Sequence, residues 1–135
     1  MTNPIPTTRA ARLTFVTPPP GLDPLVDFDL AEVEGAVGLY TLRDASDADV
    51  RLFLLDPVHF VPEYRPSLSA EQLGALDVAS DVELDVYVVA TIQDGAPVVN
   101  LLAPIVVEPR TARAAQVILE SDEWPLRAEL IASAA

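Results

Sequence analysis

The chain predicts a mostly β fold: a small antiparallel β-barrel-like single domain with one or two short helices. Three observations lead there. Between Asn100 and Pro109, the residues Leu101, Leu102, Ile105, Val106 and Val107 form an almost unbroken apolar run, which suits a strand buried on both faces. Upstream, the turn pair Asp94-Gly95 joins this run to a second apolar stretch, Val82 to Ile92, giving a hairpin long enough to template a sheet. The other hydrophobic runs are short and separated by Pro, Gly and Asp, with no sustained helical period. At 135 residues and 50% hydrophobic content, the chain suits one domain with one core.

Taken in order, residues 1–11 read as a flexible leader, with Pro4, Pro6 and several threonines, before a β domain over 12–127 and a tail over 128–135. Leu13 to Val16 starts the first strand, which Pro18-Pro19-Pro20-Gly21 ends. Two strands follow, around Phe28 to Val33 and Val37 to Arg43, and the acidic segment Asp44 to Asp49 is a loop. Val50 to Leu55 is a compact strand stopped by Asp56-Pro57. Proline bars its predecessor from helix, so the chain is expected to run extended from Val58 to Arg65. Ser69, with Gln72 three residues on, is a capping-box signal for a helix of about two turns. Pro104 cannot donate a ladder hydrogen bond, so the strand through Asn100 to Pro109 must bulge or kink there. Pro109-Arg110-Thr111 reads as a turn, Gln116 to Leu119 as a last strand, and Trp124 to Ile131 as a short helix with Pro125 in its first turn.

The charge is lopsided. The net charge is −13, and between Gly21 and Gly95 sixteen Asp and Glu residues face only Arg43, Arg51 and Arg65, while acids and bases balance elsewhere. Such a surface repels phosphate backbones, so direct nucleic-acid binding is not expected, whereas a basic protein partner is steered toward it. Without cysteine there is no disulfide, thiol nucleophile or thiolate metal site. No stretch approaches the roughly 18 apolar residues of a membrane span, and no signal-peptide core is present. The expected location is the cytoplasm.

The residues offer little chemistry. His59 is the only histidine, between Asp56 and Glu63, and a hydrolytic or metal site would need those three side chains within reach of one another. The glycines are scattered, so no phosphate loop forms, and the serines carry no nucleophile-elbow pattern. Asp81, Glu83 and Asp85 alternate along one strand face and read as its solvated side. No cofactor is expected and the chain reads as a non-enzyme. Acidic ground with aromatic anchors, here Tyr40, Tyr64, Tyr87 and Trp124, has the composition of a protein-binding face.

Three ordered segments carry a resemblance. Asn100-Leu101-Leu102-Ala103-Pro104-Ile105-Val106-Val107, continued by Pro109-Arg110-Thr111, Arg113, Gln116 to Leu119 and Trp124-Pro125-Leu126-Arg127, resembles the C-terminal signature of the flagellar assembly factor FliW family. Asp56-Pro57, Phe60, Pro62 and Glu63-Tyr64 resemble its second signature, and Pro20-Gly21-Leu22 its first. Departures are Asp23-Pro24-Leu25 after the first signature and Trp124 where the family usually has tyrosine; Phe28 to Arg43 matches in pattern alone. The resemblance implies a barrel-like domain without catalytic activity. It also implies two competing protein partners, flagellin and the RNA-binding translational regulator CsrA, with FliW relieving repression of flagellin synthesis. A barrel that has kept the fold but binds a small ligand or another protein is the alternative, and a filled barrel interior would remove the small ligand.

Among the signature positions, Leu101, Leu102, Ile105 and Val106 are read as core. The partner-binding candidates are Asn100, Pro104, Glu63, Tyr64 and Asp56. A polar residue and a ladder-breaking residue in a central strand need a reason, and Glu63-Tyr64 lie in a proline-flanked segment expected to be exposed.

Overall fold

The computed structural model describes residues 11–19, 22–47, 50–61, 64, 66, 68–76, 84–93, 95–119, 124–125 and 128–129. The longest apolar run makes the longest strand, β6 (Ala96–Glu108), which forms a hairpin with β5 (Asp85–Gln93) from the pair Gln93–Ala96 onward. Gly95 in the turn has φ of +81°, a conformation that costs glycine nothing. β5 and β6 are joined by β1 (Ala11–Phe15), β2 (Asp27–Glu32), β3 (Leu39–Asp44), β4 (Arg51–Leu55) and β7 (Arg113–Gln116). Each pairs with the next in sequence, apart from the closing pair β7–β1. That closing pair, Thr14 with Arg113 and Phe15 with Ala114, is parallel, whereas the other pairings around the barrel are antiparallel. The expected antiparallel barrel-like sheet is present, and its one parallel seam follows from parity: seven strands alternating up and down leave the first and last pointing the same way.

The interior is filled. Leu13, Phe15, Phe28, Leu30, Leu42, Leu54, Ile105, Val107 and Ala114 form one buried cluster, with Tyr87 and Val89 of β5 packed against it, so all seven strands contribute. Phe15 and Phe28 meet edge to face with centroids 5.4 Å apart. These side chains pack the middle of the barrel, as they do in small barrels generally.

A second buried cluster lies on the outer side of β5 and β6, where Val88, Val99, Leu101 and Val106 meet Leu55, Tyr64, Leu76, Val117 and Leu119. Adjacent residues Ile105, Val106 and Val107 therefore alternate between two cores. This is the two-faced burial that the unbroken apolar run predicts. Covering it are Val61 at the end of α1 (Pro57–Phe60), Leu68 and Leu76 on either side of α2 (Ala70–Ala75), and the chain after β7.

Four local expectations change. The segment from Val58 is not extended at first: Asp56 caps α1 by accepting from the Val58 amide at 3.1 Å, and Pro57 sits in the first helical turn. Asp56 itself stays extended, at φ −82° and ψ 111°, so proline's constraint on its neighbour is obeyed by making that neighbour the N-cap. Asp44 is the last residue of β3 rather than loop, buried, and accepts from the Ser46 amide and hydroxyl at 3.0 and 2.8 Å. The last barrel strand is Arg113–Gln116, ahead of the expected Gln116 to Leu119. Finally, Trp124 and Pro125 are not helical, and β8 (Ala128–Glu129) pairs with Val99 and Val98 of β6, beyond the reach of β7.

Candidate functional site

The bulge expected at Pro104 exists and is large. Tyr87 pairs with Ile105 and Val89 with Asn100, so Val88 alone on β5 faces Leu101, Leu102, Ala103 and Pro104 on β6. Backbone groups released from a ladder in a buried place must find other partners, and here each does. The Leu101 amide donates to the Pro125 carbonyl at 3.1 Å. The amides of Leu102 and Ala103 both donate to the Asn100 side-chain oxygen, at 3.1 and 3.0 Å. Pro104 has no amide hydrogen to satisfy. On the acceptor side, Leu101 receives the Tyr64 hydroxyl at 2.5 Å, Leu102 the Leu119 amide at 2.8 Å, Ala103 the Gln116 side-chain amide at 3.0 Å, and Pro104 the Val117 amide at 3.0 Å.

This network brings the second and third signature segments together. Tyr64 stands against Trp124 edge to face, centroids 4.7 Å apart, while its hydroxyl holds the bulge. Tyr64 is 5% exposed, which corrects the expectation that it lies open in its proline-flanked segment. Burial drives its phenol well above the ordinary range, so it stays a proton donor to Leu101. Asn100 is half-buried and Pro104 fully buried. Both shape the bulge from within. Leu101, Ile105 and Val106 are core, and Leu102 is partly buried against the outer cluster. Glu63 and the side chain of His59 lie outside the described residues, as do Asp81, Glu83, Pro20 and Gly21. Of the first signature, Leu22 packs on the barrel interior with Leu25 of the divergent Asp23-Pro24-Leu25 segment.

Asp56 stands apart from that network. It lies at the end of the barrel where β3 and β5 begin, and its amide donates to the Gly38 carbonyl at 2.8 Å, which draws the β2–β3 turn against α1. A cavity of about 760 Å³ opens there, lined by Tyr40, Asp56, Val58, Val61, Asp85 and Tyr87 among others. Asp85, read from its strand as a solvated side chain, stands at this mouth. Partial desolvation, then the charges of Asp56 and Glu108, push its carboxyl above the ordinary range. Nothing in the local sequence separates Asp85 from an ordinary exposed strand residue. Its neighbours come from the barrel's register, not from its own segment. Glu108, by contrast, is buried beneath the turn after β6, where hydrogen bonds from Arg110, the backbone amide at 3.0 Å first, hold its carboxyl below the usual range. Among the described residues no three His, Asp or Glu side chains gather as metal ligands, and no helix is long and apolar enough to cross a membrane.

Comparison with known proteins extends the likeness over almost the whole chain. The FliW protein family model matches residues 2–130. A flagellar assembly factor FliW of Desulfitobacterium hafniense (strain Y51) is 35% identical over 95 residues, which are 69% of this chain and 62% of that protein. The match thus spans less than two thirds of that relative's length. A flagellar assembly factor FliW of Thermotoga neapolitana is 34% identical over 111 residues, 80% of this chain and 74% of its own. The fold is similar to a crystal structure of the flagellar assembly factor FliW, with a TM-score of 0.82 at 23% identity, covering 89% of this chain and 85% of that one. With the second and third signature segments joined at one bulge, a seven-stranded barrel and a family model matched along nearly its full length, the chain belongs to the FliW family.

Proposed function

We propose that this protein is a non-enzymatic flagellar assembly and regulatory factor of the cytoplasm that binds flagellin and, in competition with it, a CsrA-type RNA-binding regulator. Free flagellin then withdraws the factor from the regulator, and the regulator shuts flagellin translation down. Membership of the FliW family is the observation that carries this reading. The charge distribution supports it: an acidic excess confined to residues 21–95 favours a basic, RNA-binding protein over RNA itself, and contributes on-rate and specificity more than affinity.

The test is calorimetric titration against the host's own flagellin and CsrA-like protein, separately and then together. Tight binding to each, with one displacing the other, is the expected result; binding to neither sinks the reading, and binding to flagellin alone removes its translational arm. The association rate with the basic partner is expected to fall as salt rises, because charges further apart than about 8 Å are screened at physiological ionic strength. A rate indifferent to salt would leave the acidic surface as a solubility device.

A further inference from the structure

We propose that the mouth of the barrel at the start of β3 and β5 is a binding site for an arginine side chain, presented between apolar residues of a partner polypeptide. The cavity has the size of a side-chain pocket with room for its neighbours, about 760 Å³. Tyr40 and Tyr87 line it as an edge-to-face pair, centroids 5.1 Å apart at 78°. A planar guanidinium stacks on such rings as an ammonium does not. Asp56 and Asp85 share the same lining. Asp56 uses one oxygen to cap α1, and Asp85 meets no cation among the described residues. A carboxylate made costly by desolvation and by like-charged neighbours is relieved by an arriving cation. The mouth is apolar at Val58, which lines it and is 74% exposed, and Val37, 71% exposed, adjoins Gly38 in the β2–β3 turn tied to Asp56. Acidic inside and apolar around, the mouth matches a basic residue with apolar neighbours and mismatches a strand of nucleic acid, whose charge is negative. Among the described residues no third ligand joins the two carboxylates to make a metal site.

The site belongs to this chain whichever protein proves to be the partner, and the probes are chosen accordingly. The isotope-labelled protein is titrated by NMR with acetyl-Val-Arg-Val-amide and with the same peptide carrying citrulline, which keeps the shape and removes the charge. Saturable shifts at Tyr40, Asp56, Asp85 and Tyr87 are expected with arginine, and about tenfold weaker binding with citrulline, the scale of one charge-assisted hydrogen bond. Asp85→Asn should weaken the arginine peptide to the citrulline level and leave the citrulline peptide unchanged. Because the citrulline comparison uses the unaltered protein, it stands clear of any folding defect in the variant. Equal affinity for the two peptides, or shifts spread over Asp27, Asp29 and Glu71 instead of the mouth, would overturn the proposal. Failure of flagellin or the regulator to bind would leave it standing.

Discussion

Asn100 shows what one side chain contributes at the smallest scale. Its oxygen accepts two amide hydrogens that no strand can reach, so Asn100→Ala should lower stability by about 1–3 kcal/mol, read from urea denaturation. Asn100→Asp, which keeps the acceptor, should recover most of that loss. Tyr64→Phe keeps the stack on Trp124 but orphans the Leu101 carbonyl, at a cost of about 1–2 kcal/mol. Since both residues hold the same bulge, the double variant should lose less than the sum. Two carboxyls give opposite pH signatures. Asp85, raised in the folded state, adds stability that is full below the ordinary carboxylate range and lost as pH rises through its folded pKa. Asp85→Asn should therefore melt higher than the parent at neutral pH, the gap closing on acidification. Glu108, lowered when folded, stabilises above the ordinary range and loses that contribution as pH falls. Glu108→Ala should melt lower at neutral pH and converge with the parent in acid. Asn100 and Pro104 were legible as residues needing a structural reason. The burial of Tyr64 was not, because its hydroxyl acceptor lies on a strand thirty-seven positions away.

The elements were legible where the signal is local. Ser69 and Gln72 form the reciprocal capping box their spacing predicts: the Gln72 amide donates to the Ser69 hydroxyl at 3.1 Å and the Ser69 amide to the Gln72 side-chain oxygen at 2.9 Å. Ser69→Ala should cost about 1 kcal/mol, measurable in the same denaturation assay. Gln72 also donates its side-chain amide to the Ile118 carbonyl at 2.8 Å, so Gln72→Glu should keep the cap and lose the tether. Where tertiary packing decides, local pattern misleads. Val117-Ile118-Leu119 looks more like a strand than Arg113–Gln116 does, yet the ladder with β6 runs through Ala114 and Ala115. Val117 and Leu119 instead spend their amides on the bulge. The strand assignment slipped because the bulge's backbone needs are invisible from outside it.

At the scale of the molecule, the net charge of −13 sets the folded state against itself, since compaction brings like charges together. Raising salt from about 10 mM to about 150 mM shortens the screening length from about 30 Å to about 8 Å, so the melting temperature should rise over that interval. A melting temperature that falls or stays level would show that local pairs such as Arg110 with Glu108 outweigh the collective repulsion. A barrel-like sheet was legible from strand number and turn spacing. Its closure was not, because no short-range signal states that Thr14 meets Arg113.

That last pairing governs how the protein is made. Translation delivers β1 early, but its second neighbour arrives only with Arg113 and Ala114, so for most of its synthesis the growing chain is an open sheet with β1 exposed at one side. Unpaired strand edges invite association with other chains. Until Arg113 and Ala114 have left the ribosome the chain stays in that adhesive form, and the docking of β7 on β1 converts it to one with a closed rim.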